Sequence, residues 1–82
     1  MWRNPGLSRE FYMKRVAVAS STIVAIGYDP DTSTLEVEFK NGTVYEYDGV
    51  PVEIYEGIMN SNSHGKYLNA HVKERFSFRR IR

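Results

Sequence analysis

The sequence has 82 residues, a formal net charge of +1 and no cysteine. A chain of this length has room for a single hydrophobic core, and without cysteine it forms neither a disulfide framework nor a thiolate metal site. Because the absence of cysteine is also compatible with a reducing compartment, we expect a cytoplasmic protein.

The charges are divided along the chain. Residues 1–21 hold four basic residues and one acidic residue. Residues 22–63 hold one basic residue and eight acidic residues, and residues 64–82 hold six basic residues and one acidic residue. Two interpretations of the basic ends stay open: they bind phosphate groups, or they lie against the acidic middle segment of the same chain.

The first segment, residues 1–17, is predicted to be an N-terminal arm or a short helix, because it contains a Pro-Gly turn signal and no sustained periodicity. The domain proper is expected to be 18–82. An apolar run after Met13-Lys14-Arg15 imitates a signal peptide, but serines and a threonine interrupt it. It is also much shorter than the roughly 20 apolar residues of a membrane span, so we expect a first strand here and no membrane association.

Three strands are predicted in the middle of the chain. Thr22–Tyr28 is β-branched and apolar on both faces. Leu35–Phe39 alternates between apolar and acidic residues, which is typical of a half-buried strand. Asn41-Gly42 then turns the chain, and Thr43–Asp48 returns antiparallel. The result is a three-stranded meander that still needs a cover.

Helices follow the strands. Residues 51–60, PVEIYEGIMN, place apolar residues at helical spacing, and Lys66–Lys73 predicts a second short helix. Phe76–Phe78 alternates like a last strand within a basic tail. The sequence therefore predicts an α+β domain: a three-stranded antiparallel meander covered by one or two helices, with a short C-terminal strand.

The length of the turn after Leu35–Phe39 decides where two tyrosines point. If Asn41-Gly42 alone forms the loop, Tyr45 lies opposite Glu38 and Tyr47 opposite Glu36. The tyrosines then share a face with carboxylates.

A three-residue loop over residues 40–42, with a bulge at Gly42, shifts the pairing by one residue and moves every side chain to the other face. Val37 then lies opposite Tyr45, and Leu35 lies opposite Tyr47. We favour this bulged register because it collects the large apolar groups on one face. It leaves four carboxylates on the other face: Glu36, Glu38, Glu46 and Asp48. Tyr45 and Tyr47 are then mainly structural, with their hydroxyls at the rim.

Residues 18–76 resemble the KTSC domain, which is named after a C-terminal extension of some lysyl-tRNA synthetases and is also found as a small stand-alone bacterial protein. Tyr45-Glu46-Tyr47 fits the central Tyr-x-Tyr signature of that family. Further matches follow in like order: Gly27-Tyr28, Gly42, Val50-Pro51, Gly65-Lys66-Tyr67 and Asn69. The resemblance implies a bacterial protein without an established activity, and its occurrence on a synthetase suggests RNA binding.

The basic C-terminal segment has the chemistry for RNA, because basic side chains hold phosphates and aromatic rings stack under bases. The alternative is that the aromatic residues Tyr67, Phe76 and Phe78 close the core while the charges are solvated. The candidate RNA-binding residues are Lys66, Tyr67, Lys73, Arg75, Arg79 and Arg80. We expect replacement of Arg79 and Arg80 to weaken RNA binding and to leave folding nearly unchanged.

Catalysis and metal binding have weak support in the sequence. Ser61, Ser63 and His64 contain a hydroxyl and an imidazole, but adjacent residues seldom meet in catalytic geometry. His64 and His71 have no third or fourth ligand nearby. We therefore expect no catalytic residues, no metal, no cofactor and no small-molecule substrate.

The leading functional hypothesis is a non-catalytic accessory module that binds RNA, tRNA in particular, through the basic C-terminal segment. The alternative is a protein-protein interaction module that uses the acidic sheet face or a strand edge.

Overall fold

A computed structural model describes residues 15–82 of the protein. Within this range, five strands form one antiparallel sheet in chain order. The strands are β1 (Arg15–Ala17), β2 (Ile23–Asp29), β3 (Thr34–Phe39), β4 (Val44–Tyr47) and β5 (Phe78–Arg80). Two helices, α1 (Val52–Asn60) and α2 (His64–His71), lie between β4 and β5 in the chain. The predicted α+β class is confirmed, and the predicted meander forms the centre of the sheet.

The two outer strands extend the predicted sheet. β1 pairs with β2, so Arg15–Ala17, which were assigned to the N-terminal arm, belong to the sheet. The rest of the predicted arm lies outside the described residues. The last strand begins at Phe78 rather than at Phe76. Both strands have only three residues, which is too short for a period-two pattern to identify them.

The central hairpin adopts the bulged register. Val37 lies opposite Tyr45, and Leu35 lies opposite Tyr47. Glu36 accordingly lies opposite Glu46 on the other face of the sheet. The prediction that the tyrosines share a face with the apolar residues of β3 is confirmed.

Gly42 makes this register possible. The N–H of Phe39 donates to the carbonyl oxygen of Thr43 (2.9 Å), and the N–H of Gly42 donates back to the carbonyl oxygen of Phe39 (3.0 Å). Gly42 has φ +93°, in the left-handed region where a side chain would crowd the backbone. Asn41 Oδ1 accepts from the N–H (3.0 Å) and the hydroxyl (2.7 Å) of Thr43, which fixes the turn further.

The hydrophobic core lies between the helices and one face of the sheet. Its apolar side chains come from the helix-facing positions of β2, β3 and β4 and from the inner faces of both helices. Burial of this apolar surface is the main force that holds the helices on the sheet. The buried core residues are Ile23, Ile26, Leu35, Val37, Tyr47, Val50, Ile58, Leu68 and Val72.

The helices differ in how they begin. Pro51 precedes α1 and makes no side-chain cap, so packing must supply most of the stability of this helix. Ser63 caps α2 through its hydroxyl, which accepts from the N–H of Lys66. After α2 the chain turns through Glu74, which has φ +68°, and this turn leads the chain back to β5.

Candidate nucleic-acid interface

The sheet face opposite the helices carries four carboxylates, Glu36, Glu38, Glu46 and Asp48, here called the acidic face. Glu36 is fully buried and Glu46 is nearly so. Buried carboxylates are strongly unfavourable unless cations or hydrogen-bond donors accompany them, and in this protein arginines supply that charge.

Three arginines lie on the acidic face. Arg15 forms ion pairs with Glu36 and Glu38, and Arg82 reaches Glu38 from the other end of the chain (3.1 Å). Arg15 and Arg82 thus compensate the carboxylates of β3.

Arg79 compensates the carboxylates of β4 and its C-terminal end. Its guanidinium donates to Glu46 and to Asp48, each at 2.9 Å. Arg79 lies directly opposite Glu46 in the β4–β5 pairing, which explains why the contact is so direct. For Arg15, Arg79 and Arg82, the interpretation that basic ends lie against the chain's own acidic segment is therefore the one that the geometry matches.

The remaining basic residues of the described range have a different environment. Within residues 15–82, no carboxylate forms an ion pair with these side chains, all of which are exposed. They are Lys40, Lys66, Lys73, Arg75 and Arg80. Two of them bond to carbonyl oxygens instead: Arg75 Nε donates to Ala70 (3.1 Å), and Arg80 Nε donates to Arg82 (3.2 Å). Unlike the arginines of the acidic face, none of these five side chains lies within ion-pair distance of a carboxylate in the described part of the chain.

Several of these cations line three adjoining depressions beside α2 and the turn after it, here together called the α2 groove. Lys66 and Asn69 lie three residues apart on one side of α2, and Lys73 follows in the turn after it. The first part of the groove, about 380 Å³, lies between Lys66, Asn69 and the loop of residues 19–22. The middle part, also about 380 Å³, lies between Asn69, Lys73 and the hairpin turn that carries Lys40.

The far end of the α2 groove is aromatic. It has a volume of about 430 Å³, and Lys73 borders it as well as the middle part. Four aromatic residues of the sheet line it: Phe39, Tyr45, Tyr47 and Phe78. Burial raises the pKa of Tyr47 above its ordinary value of 10.0, and charge repulsion from Tyr45 raises it further. Tyr47 therefore stays neutral at physiological pH and contributes apolar surface rather than charge.

The structure divides the predicted RNA-binding residues into four groups. Lys66 and Lys73 line the α2 groove. Arg75 borders a shallow depression beside Lys73, and Arg80 lies opposite Tyr45 in the β4–β5 pairing. Arg79, the neighbour of Arg80 in sequence, points to the acidic face. The alternation of side chains along a strand accounts for that difference.

Tyr67 forms the fourth group, because it packs between the helices. Its ring lies 4.3 Å from that of His71, measured between centroids, and it presses against Gly57 of α1. Tyr67 is only partly exposed and packs against the core. The geometry thus matches the interpretation that Tyr67 closes the core, and Phe76 packs in the same way.

Ser61, Ser63 and His64 are occupied by local structure. The hydroxyl of Ser61 donates to the carbonyl oxygen of Ser63 (3.0 Å), while the Ser63 hydroxyl caps α2. His64 Nδ1 lies 2.8 Å from the carbonyl oxygen of Ile58 and must donate to it, since a carbonyl only accepts. Local hydrogen bonds at the connection between α1 and α2 thus account for the polarity of these three residues.

In the described part of the chain, no three histidine or carboxylate side chains cluster in a way that could hold a metal ion. Neither helix within residues 15–82 is long and apolar enough to cross a membrane.

Comparison with known proteins agrees with the fold. The family model described as the KTSC domain matches residues 19–76. The chain belongs to the KTSC domain family. A crystal structure of a KTSC domain protein from Yersinia pestis superposes with a TM-score of 0.81 at 39% sequence identity, covering 85% of this chain and 99% of that one.

Other KTSC relatives fall into two kinds. An uncharacterised protein of Stutzerimonas stutzeri is 44% identical over 57 residues, which cover 70% of this chain and 80% of that protein. A lysine–tRNA ligase of Nostoc sp. is 38% identical over 61 residues, which cover 74% of this chain and only 11% of the ligase. The KTSC domain is thus found both in small proteins and as a minor part of a much larger enzyme.

Sequence reasoning missed the hairpin side of the groove. The sequence predicts Lys40 and Asn41 only as turn residues, yet both line the middle part of the α2 groove. Asn69 stands out in the sequence only as a family match, yet it lines the first and middle parts of the α2 groove. The spacing of Lys66, Asn69 and Lys73 was a usable signal, because residues three and four apart share one side of a helix.

Proposed function

We propose that this KTSC domain is a non-catalytic accessory module that binds RNA through the α2 groove, with tRNA as its first candidate ligand. The observation that carries the proposal is the division of charge. Arg15, Arg79 and Arg82 compensate the acidic face, whereas the cations around α2 have no carboxylate partner within residues 15–82. Unpaired cations along a groove attract phosphates.

The relatives support the choice of RNA as the ligand. The lysine–tRNA ligase of Nostoc sp. contains a segment 38% identical to this chain, and that ligase is named for a tRNA substrate. An accessory module that holds RNA by its phosphates would serve such an enzyme without taking part in its chemistry. A free-standing copy would use the same groove for RNA in trans.

Binding is proposed to be modest in affinity and tolerant of sequence. Lys66 and Lys73 contribute point charges, which recognise phosphates without reading bases. Arg75 and Arg80 extend the basic surface at the end of α2 and on β5. Arg79 is left out of this surface, because its guanidinium is already bonded to two carboxylates.

A direct experiment is a titration of the full chain with labelled bulk tRNA and with a scrambled single strand, each at low salt and at high salt. The proposal predicts binding of both at low salt and steep loss at high salt. The double variant Lys66→Ala, Lys73→Ala should weaken both interactions. No measurable binding at low salt would refute the proposal.

The alternative of a protein interaction module has less support. The carboxylates of the acidic face already have arginine partners, which reduces the free negative charge that a basic partner would need. The exposed edge of β5 is a possible site of strand addition, but it is only three residues long. Binding to a protein through that edge would depend little on salt, which separates it from phosphate binding.

A further inference from the structure

The aromatic end of the α2 groove contains an unusually exposed ring. Phe78 is 60% exposed, the highest value among the large hydrophobic side chains of the described residues. One exposed apolar residue needs no explanation. Phe78 differs because it belongs to a cluster: its ring meets that of Tyr45 edge to face (5.7 Å) and lies 5.9 Å from that of Tyr47.

The cluster forms one side of a concave site. Phe39 meets Tyr45 edge to face at 5.9 Å, so the rings of three strands line one continuous apolar wall. The site is partly open to solvent and has a volume of about 430 Å³, within the range of about 300–1,000 Å³ that small-molecule sites occupy. A flat ring is therefore a ligand of suitable size and shape.

The rim of this site is polar and offers both donors and an acceptor. It is formed by Asn41, Thr43, Lys73 and Glu74. Because Asn41 Oδ1 already accepts two hydrogen bonds from Thr43, the amide group of Asn41 is turned so that its N–H₂ is left to donate elsewhere. Glu74 supplies an acceptor and Lys73 a cation.

The strained backbone at Glu74 also belongs to this rim. A non-glycine residue with positive φ is uncommon and unfavourable, and Glu74 has φ +68°. Such conformations concentrate at binding and catalytic sites. Here the strained turn brings Lys73 and Glu74 to the rim of the aromatic site.

A flat aromatic surface, hydrogen-bonding groups at its edge and a cation beside it are the complement of a nucleotide. We propose that the aromatic end of the α2 groove takes one unstacked nucleobase of a single-stranded RNA segment, held against Phe78, with the adjoining phosphate at Lys73. This inference rests on the proposed function and adds base binding to it. The other cations of the groove hold the neighbouring phosphates.

Base stacking and phosphate binding respond to different changes. Stacking on an aromatic residue contributes enough that alanine substitution weakens binding about tenfold per base. It tolerates any base, since every base has a π-face. Removal of the bases from an oligonucleotide therefore abolishes the contribution of Phe78 while it preserves the contribution of the lysines.

The test uses the full chain, a short single-stranded RNA and an oligonucleotide of equal length with abasic sites at every position. Affinities for both are measured at low salt for the wild type, Phe78→Ala and Phe78→Tyr. The inference predicts that Phe78→Ala weakens binding of the RNA about tenfold and leaves binding of the abasic strand unchanged. Phe78→Tyr, which retains the ring, should behave as the wild type.

Val52→Ala is the matched control, because it removes an exposed apolar side chain from the start of α1, outside the groove. It should alter neither affinity. Circular dichroism establishes that each variant is folded, which is expected for Phe78→Ala because most of the ring is exposed.

The outcomes separate the two proposals. Equal affinity for the RNA and the abasic strand, or an equal effect of Phe78→Ala on both, would overturn the base site and leave phosphate binding intact. Binding of neither strand would overturn both proposals. If Phe78→Tyr weakened RNA binding as much as Phe78→Ala, that result would also contradict stacking.

Discussion

Gly57 of α1 lies directly against the ring of Tyr67 of α2, so closely that no Cβ can be placed at position 57 without moving the tyrosine. Glycine inside a helix is unfavourable by about 0.5–1 kcal/mol relative to alanine. In this protein the missing side chain of Gly57 allows the two helices to pack closely, despite the unfavourable helix propensity of glycine.

We therefore predict that Gly57→Ala lowers the free energy of unfolding by about 1–2 kcal/mol, since overpacking outweighs the gain in helix propensity. Urea denaturation measures the change. In a Tyr67→Ala background, where the obstructing ring is absent, the same Gly57→Ala change should become neutral or stabilising. Destabilisation of equal size in both backgrounds would show that the two residues are not coupled.

Gly42 gives a second stability prediction. Because its φ of +93° is unfavourable for residues with a Cβ, Gly42→Ala should destabilise the protein by about 1–2 kcal/mol. Gly42→Asn should cost less, since asparagine tolerates the left-handed region better. Equal effects of the two substitutions in thermal or chemical denaturation would contradict the role of φ.

Arg79 and Arg80 should behave differently although they are neighbours. Arg79→Ala removes two charge-assisted hydrogen bonds, one of them to Glu46, whose side chain is only 6% exposed. Half of the Arg79 side chain is exposed, so screening reduces the effect, and we expect a loss of about 1–2 kcal/mol. Arg80→Ala should stay within about 0.5 kcal/mol of the wild type.

A larger loss of stability in Arg79→Ala than in Arg80→Ala would correct the expectation that both arginines can be replaced with little effect on folding. Denaturation of the two single variants checks it, and Arg79→Lys serves as a control that keeps the charge but not the paired geometry. Equal stability of Arg79→Ala and Arg80→Ala would mean that the ion pairs of Arg79 contribute nothing measurable.

Tyr47 makes stability depend on pH at the alkaline end. Burial raises its pKa above 10.0 in the folded protein, while the unfolded chain titrates near the ordinary value. The stability that this group contributes is fully present below pH 10 and is lost as the pH rises through the folded pKa. Tyr47→Phe should therefore flatten the alkaline decline in melting temperature, and a decline identical to that of the wild type would refute the assignment.

The centre of the fold was predictable because its signals are local. Alternation in β3 and the turn at Asn41-Gly42 were sufficient to predict the hairpin. Separation of charge from apolar surface then selected between two registers that differ by one residue. The outer strands β1 and β5 were not predictable in the same way, because three residues carry too little periodicity.

The candidate interface was only partly predictable. The net excess of positive charge in residues 64–82 is visible in the sequence, but the roles of Arg79 and Arg80 depend on strand alternation and on what lies opposite each. The contribution of Lys40 and Asn41 depends on the tertiary approach of the hairpin turn to α2. Such an approach leaves no pattern in the sequence around either segment.

In the proposed function, phosphates bind at the α2 groove and not wherever the protein carries positive charge. The most direct test compares the salt dependence of single-stranded RNA binding for the wild type, Lys73→Ala and Arg82→Ala. Each variant loses one cation, but Lys73 lines the groove and Arg82 lies on the acidic face.

With about three to five phosphate contacts, log affinity of the wild type should fall against log salt with a slope of roughly −2 to −4. Lys73→Ala should weaken binding and reduce the steepness of this slope by about 0.7, the contribution of one phosphate on a single strand. Arg82→Ala should leave the slope unchanged. Equal loss of slope in the two variants would contradict a defined groove, and a slope near zero in the wild type would contradict phosphate binding itself.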